Sequence, residues 1–233
     1  ASLILGGEFA PFQHGCCISA AASADILGFV AYHDEEVVRI SSDFFDAIEI
    51  DLSDLSDIAE KYKGFAAVAA GIISEFADMG IPCCGFDAYI SLDIPEISAF
   101  YINSALNILI CNIINNSVEN KLSEIEIAKI GHKFSENHTD FLPFLSSSIG
   151  GVALFDMKNP HEPQVHKLNF DFPQWGYSLC MVDLGGENSF KKIDKDLKSV
   201  AESMGADYLG SIDDEAFFDD ISQICKKCSS REL

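Results

Sequence analysis

The residues best placed for chemistry lie where an alternating segment hands over to a long apolar one. In the stretch 85–116, GFDAYISLDIPEISAFYINSALNILICNIINN, Phe86, Ala88 and Ile90 alternate like a strand, Ile94-Pro95-Glu96 forms a turn, and the run that follows reads as a buried helix. A handover of this kind can hold phosphate, because the first-turn amides of a helix are unpaired and its dipole favours an anion. A phosphate cradle also needs glycine, so that the backbone can approach the ligand. This loop offers Glu96, Ile97, Ser98, Ala99, Phe100, Tyr101 and Ile102 instead, which add bulk and a negative charge. The architecture is that of a phosphate site, and the residues argue against a working one. Ser146-Ser147-Ser148 has no adjacent base in sequence and reads as a helix-to-strand connection. Cys225-Lys-Lys-Cys228 has metal-ligand spacing, but no second pair follows to complete four ligands. His132 and His138, six residues apart, do not share a helix face. Asp213, Asp214 and Glu215 suit a helix N-terminus better than a metal.

Around that handover the chain orders its elements as strands, helix, strand, two helices, strands and helices, which is an α+β pattern rather than regular βα alternation. Residues 1–52 read as strands and turns, with a glycine turn at Gly6-Gly7 and a hairpin joining VVRIS to AIEIDL. Residues 57–79 show helical spacing (Ile58, Phe65, Val68, Ile72, Phe76), with Asp57 as N-cap and Gly80 as stop. Residues 122–137 read as an amphipathic helix opened by a Ser123/Glu126 capping box, and residues 141–148 as a short helix. Strands are expected at 152–156, 164–170 and 177–183, and helices near 194–204 and 214–224.

The chain has 233 residues and is 48% hydrophobic, enough for one large or two small cores. Fifteen Lys and Arg against 37 Asp and Glu give a formal charge of −22. Such a field repels nucleic acid and anionic membranes, and an anionic nucleotide would need basic groups or magnesium to offset it. Most of the eight cysteines sit in apolar segments, the usual behaviour of reduced cytosolic thiols, so a cytoplasmic location is expected. Leu3-Ile4-Leu5 is too short for a signal-peptide core, and no run approaches membrane-spanning length. The chain opens on Ala and ends at Arg231-Glu232-Leu233 without a closing element, so both ends read as cut.

Several ordered segments together resemble the galactokinases of the GHMP sugar-kinase superfamily, across about the first three-fifths of a typical member. GGEFAPFQHG is similar to the family's N-terminal G-G/E-x-H-T-D-x-x-x-G segment. KGFAAVAAGIISEFADMGIPCCGFDAYIS resembles the helix and strand before its phosphate loop, and IEIAKIGHKFSEN its next helix. FLSSSIGGVALFDMKNP and FDFPQWGYSLCMVDLGG resemble the segments after its catalytic aspartate. The resemblance implies a ribosomal-S5-domain-2-like N-terminal domain at 1–176 and the start of a second α+β domain at 177–233. It also implies ATP and Mg2+ as cofactors, transfer of the γ-phosphate to the anomeric hydroxyl of galactose or a related sugar, and a monomer.

Carried over residue by residue, the family's functional groups are largely replaced. The phosphate loop P-x-G-x-G-L-S-S-S-A-A falls on Pro95 to Ala105, with Ile97 and Ala99 for the glycines and Tyr101-Ile102-Asn103 for the serines. What remains of a nucleotide site is Ser98, Ala99, Asn103 and Ser104. The catalytic arginine falls on Ser2, and the His-Thr-Asp run on Phe9-Ala10-Pro11, while the sugar-facing glutamate is kept as Glu8. Gln13-His14-Gly15 resembles the downstream part of that motif and shapes its turn. The catalytic aspartate falls on Pro143, with Asp140 three residues earlier as the stand-in. The resemblance therefore implies an impaired galactokinase. Its alternatives are a non-catalytic pseudokinase, sugar-binding or regulatory, and a fragment without function of its own.

Overall fold

The computed structural model describes residues 2–21, 25–93, 99–119, 121–135, 140–180 and 190–227. Contacts divide the chain into two compact units, residues 1–3 with 21–150 and residues 4–20 with 151–233. The division falls at Gly150, in a connection where Gly150 and Gly151 both take positive φ (70° and 64°).

The first unit is built on a four-stranded sheet of β3 (Asp25–His33), β4 (Val37–Ser42), β5 (Ile48–Asp51) and β6 (Gly85–Asp93), in the order β3-β6-β4-β5. β6 is central, antiparallel to β3 and parallel to β4. The expected hairpin is present: β4 and β5 pair antiparallel with Ile40 opposite Ile48. Alternation sends Val38, Ile40, Ile50, Phe86, Ala88 and Ile90 to one face, where all are buried. Helices cover that face. In contact with it are α2 (Phe65–Asp78), against β5, and α3 (Ala99–Asn116), against β3; α1 (Ile58–Lys61) packs on α2, while α4 (Glu124–Lys133) and α5 (Leu142–Ile149) pack on α3. Gly28 lets β3 approach α3, since a Cβ there would sit 3.3 Å from Leu109.

The single helix expected over 57–79 is two. Tyr62 is extended and ends α1, and Gly64, at φ 56°, starts α2 afresh. Asp57 takes left-handed backbone angles, and its side chain makes no capping bond. Gly80, at φ 78°, is the expected stop, with the Ile81 amide closing back onto the Phe76 carbonyl at 2.9 Å. The Ser123/Glu126 capping box is formed as the sequence indicates, Glu126 accepting from the Ser123 amide at 2.8 Å.

The second unit holds most of another four-stranded sheet, ordered β1 (Ser2–Gly6), β2 (Cys16–Ala21), β7 (Val152–Asp156), β8 (Gln164–Leu168). β2 and β7 pair antiparallel, Ile18 opposite Leu154, and β7 pairs antiparallel with β8. The strand expected at 177–183 is absent over its described part: a 3-10 turn at Pro173–Trp175 precedes it, and residues 177–180 form no ladder. α6 (Phe190–Ser203) and α7 (Asp214–Lys227) follow, packed through Val200, Met204, Leu209, Phe217 and Ile224.

Candidate functional site

β6 ends at Asp93, and the turn expected at Ile94-Pro95-Glu96 lies outside the described residues. Ser98, with the rest of 94–98, lies outside the described residues, and α3 begins at Ala99. Farther along α3, Asn103 is exposed and Ser104 is buried. The helix carries no basic residue in its last turn and no acidic one in its first, so its dipole is left to the backbone alone. Its buried polar groups serve packing. Asn107 donates to the Gly131 carbonyl at 2.9 Å and ties α3 to α4, and Asn115 accepts from the Leu122 amide at 2.8 Å.

Asp140 and Pro143 fall on opposite sides of a helix start. Pro143 lies in the first turn of α5, where a missing N–H is tolerated. Asp140 precedes the helix, and its Oδ1 accepts from the Leu142 amide at 3.1 Å. Burial pushes its pKa from 3.8 up to about 6, and the amides of Leu142 and Phe141 pull the other way. No lysine or arginine is among the groups that set this balance. Ser2, which the resemblance sets at the family's arginine, is a strand residue only 4% exposed, and its hydroxyl has no hydrogen-bond partner among the described residues. A serine at that position brings no positive charge.

In the second unit, Glu8 is exposed on the turn after β1. Gly7 makes that turn possible at φ 76°, because a Cβ would lie 2.7 Å from the Cys16 carbonyl oxygen. The turn continues as a 3-10 helix over Ala10–Gln13, closed by His14 at φ 57°. Gln13-His14-Gly15 shapes the turn as expected, and it does more. Gln13 is buried and accepts from the Leu209 amide at 3.2 Å, and the His14 ring stacks on Tyr208 at 3.7 Å with 13° between planes. Gly210 permits the approach, since a Cβ there would come within 2.3 Å of the His14 carbonyl oxygen. The sequence held no local signal for this clamp, whose partners are about two hundred positions apart.

Burial pushes the Cys83 and Cys111 thiols up to about 12, so neither is a nucleophile at neutral pH. Among the described residues no group of three His, Cys, Asp or Glu is placed to hold a metal ion. Cys228 lies outside the described residues, as does His138. No described helix is long and apolar enough to cross a membrane.

No family model matches the chain. Solved structures do. Galactokinase from Lactococcus lactis, in complex with galactose, matches with a TM-score of 0.71 at 17% identity, over 96% of this chain and 61% of that one. Mevalonate kinase from Methanococcus jannaschii matches at 0.61 and 15% identity, over 99% and 72%. The fold is therefore the mixed α+β fold of the GHMP kinases. In sequence, a galactokinase from Clostridium tetani is 30% identical over 129 residues, 54% of this chain and 32% of its own length. That match bears out the resemblance to the galactokinases, and the chain spans about a third of the relative it matches. The resemblance that implies ATP and magnesium also puts other side chains at the family's phosphate loop. Ala99 brings a Cβ where the family has glycine, and Tyr101-Ile102-Asn103 replace its serine run.

Proposed function

We propose that this chain is a galactokinase-type protein whose sugar phosphorylation is impaired and whose retained task is recognition of galactose or a related sugar, with Glu8 facing the sugar. Asp140 carries this reading. It is the carboxyl group beside the turn where the family's catalytic aspartate is expected, yet it accepts from the Leu142 amide at the start of α5 and burial draws it toward protonation, with no described lysine or arginine to oppose this. A carboxylate serving a transferring phosphoryl group needs positive charge close by, and an arginine can be worth roughly three to five decades in rate. Ser2 supplies none. The substitutions at Ala99 and at 101–103 favour a second, non-catalytic pseudokinase form of the same reading, in which Mg-ATP is not held at all.

The test is a coupled assay of ADP release from Mg-ATP with galactose, paired with thermal melts in each ligand alone. Turnover is expected at least about a thousandfold below the 1–100 per second usual of kinases. Galactose is expected to raise the melting temperature by mass action, as about 2.7 kcal/mol of added stability at a hundredfold excess over Kd. Turnover in the ordinary range would overturn the proposal, and so would a chain that melts cooperatively and shifts with neither ligand. A shift with Mg-ATP would exclude the pseudokinase form.

A further inference from the structure

The face of the β3-β6-β4-β5 sheet opposite its helices carries apolar side chains that the kinase reading does not use. Leu27 and Phe29 of β3 are 52% and 64% exposed, and Tyr89 of β6, paired with Phe29, is 39% exposed. A groove of about 600 Å³ runs across the strands there, lined among others by Phe29, Ala31, Ser41 and Tyr89. Its charged row is acidic. Asp87 stands between Ala31 and Arg39 in the register, and Arg39 is shared by Glu35 at 2.9 Å, Glu49 at 3.2 Å and Asp87 at 3.5 Å. Asp43 accepts from the Tyr89 hydroxyl at 2.6 Å, and Asp25 pairs with Asp93 at the end of the ladder.

β3 is also an edge. It is nine residues long and, among the described residues, pairs with β6 alone. Natural edge strands are usually blunted by lysine, proline or a bulge. β3 has neither lysine nor proline, and its ladder with β6 runs unbroken from Asp25 to His33. An unblunted edge beside an exposed apolar surface is a template for one more strand. The acidic row decides what that strand carries. An identical copy would bring a second set of carboxylates, and an alternating basic segment complements the first.

We propose that the β3 edge and the adjoining sheet face dock an extended protein segment in which arginine or lysine alternates with apolar residues. Its main chain pairs with β3. On the outward side, the stems of its basic residues lie over Leu27 and Phe29, with a cation–π contribution from the Phe29 ring, and their charged ends meet Asp25, Asp87 and Asp93. Its apolar residues extend the buried side of the sheet.

The probe is a labelled, end-capped peptide, Arg-Val-Arg-Val-Arg-Val-Arg, titrated into the full chain at low salt by fluorescence anisotropy. The comparison is an isomer of the same composition with its arginines in one block. The alternating peptide is expected to bind at least tenfold more tightly than the isomer, and Phe29→Lys is expected to remove that preference. Hydrogen exchange on the unaltered chain gives a check that needs no variant: amides of β3 should slow on binding. Equal affinity for the two peptides would reduce the effect to bulk charge and overturn the proposal. No binding, or protection confined to residues outside β3, would overturn it as well. A dimer of the free chain in sedimentation that Phe29→Lys disperses would assign the edge to a second copy instead.

Discussion

A carboxyl group whose pKa is higher folded than unfolded costs stability when it ionises, and Asp140 is such a group. Its proton is held to about pH 6 in the folded chain against about 3.8 when exposed. The folded state is therefore favoured by the neutral form, and that advantage is lost as pH rises from 4 through 6. The difference corresponds to about 3 kcal/mol at most. Asp140→Asn keeps an oxygen for the Leu142 amide and removes the charge. The variant is expected to match the parent below pH 4 and to be the more stable of the two, by roughly 1–3 kcal/mol, at pH 7. Urea melts at both pH values check this, and a difference independent of pH would refute it. The residue was legible in the sequence as a candidate. Its environment was not, because burial depends on what the fold brings near.

Elements were most legible where local chemistry decides them. The capping box at Ser123 and Glu126 and the stop at Gly80 act over a few residues, and both stand as expected. The break at Gly64 was hidden because the apolar positions of α1 and α2 keep one helical spacing across it. Over 177–180, the described part of the strand expected at 177–183, no ladder forms for a related reason, since alternation alone does not supply a ladder partner. Close approaches were equally invisible. At Gly85, which opens β6 opposite His33, a Cβ would lie 2.0 Å from the Glu35 carbonyl oxygen. Alanine in a strand is otherwise better than glycine by roughly 0.5–1 kcal/mol. A backbone oxygen cannot swing aside as a side chain can, so the clash should win. Gly85→Ala is expected to destabilise by about 1–3 kcal/mol in denaturant melts, and a neutral or stabilising result would contradict this packing of β6 against the β3–β4 turn.

At the scale of the whole molecule, a formal charge of −22 loads both folded units with self-repulsion. Screening should relieve it, since the Debye length falls from about 30 Å at 0.01 M salt to about 10 Å at 0.1 M. The melting temperature is expected to rise with sodium chloride over that range, and a fall would mean that ion pairs such as those of Arg39 outweigh the repulsion. The pairing of β2 with β7 has a further consequence, for synthesis. Ala20 meets Val152, so β2 leaves the ribosome roughly 130 residues before its partner. At 5–20 residues per second that is a wait of about 7–26 s, during which the first unit can close. The second unit is thus completed after the first, although its first strand is made before most of the first unit.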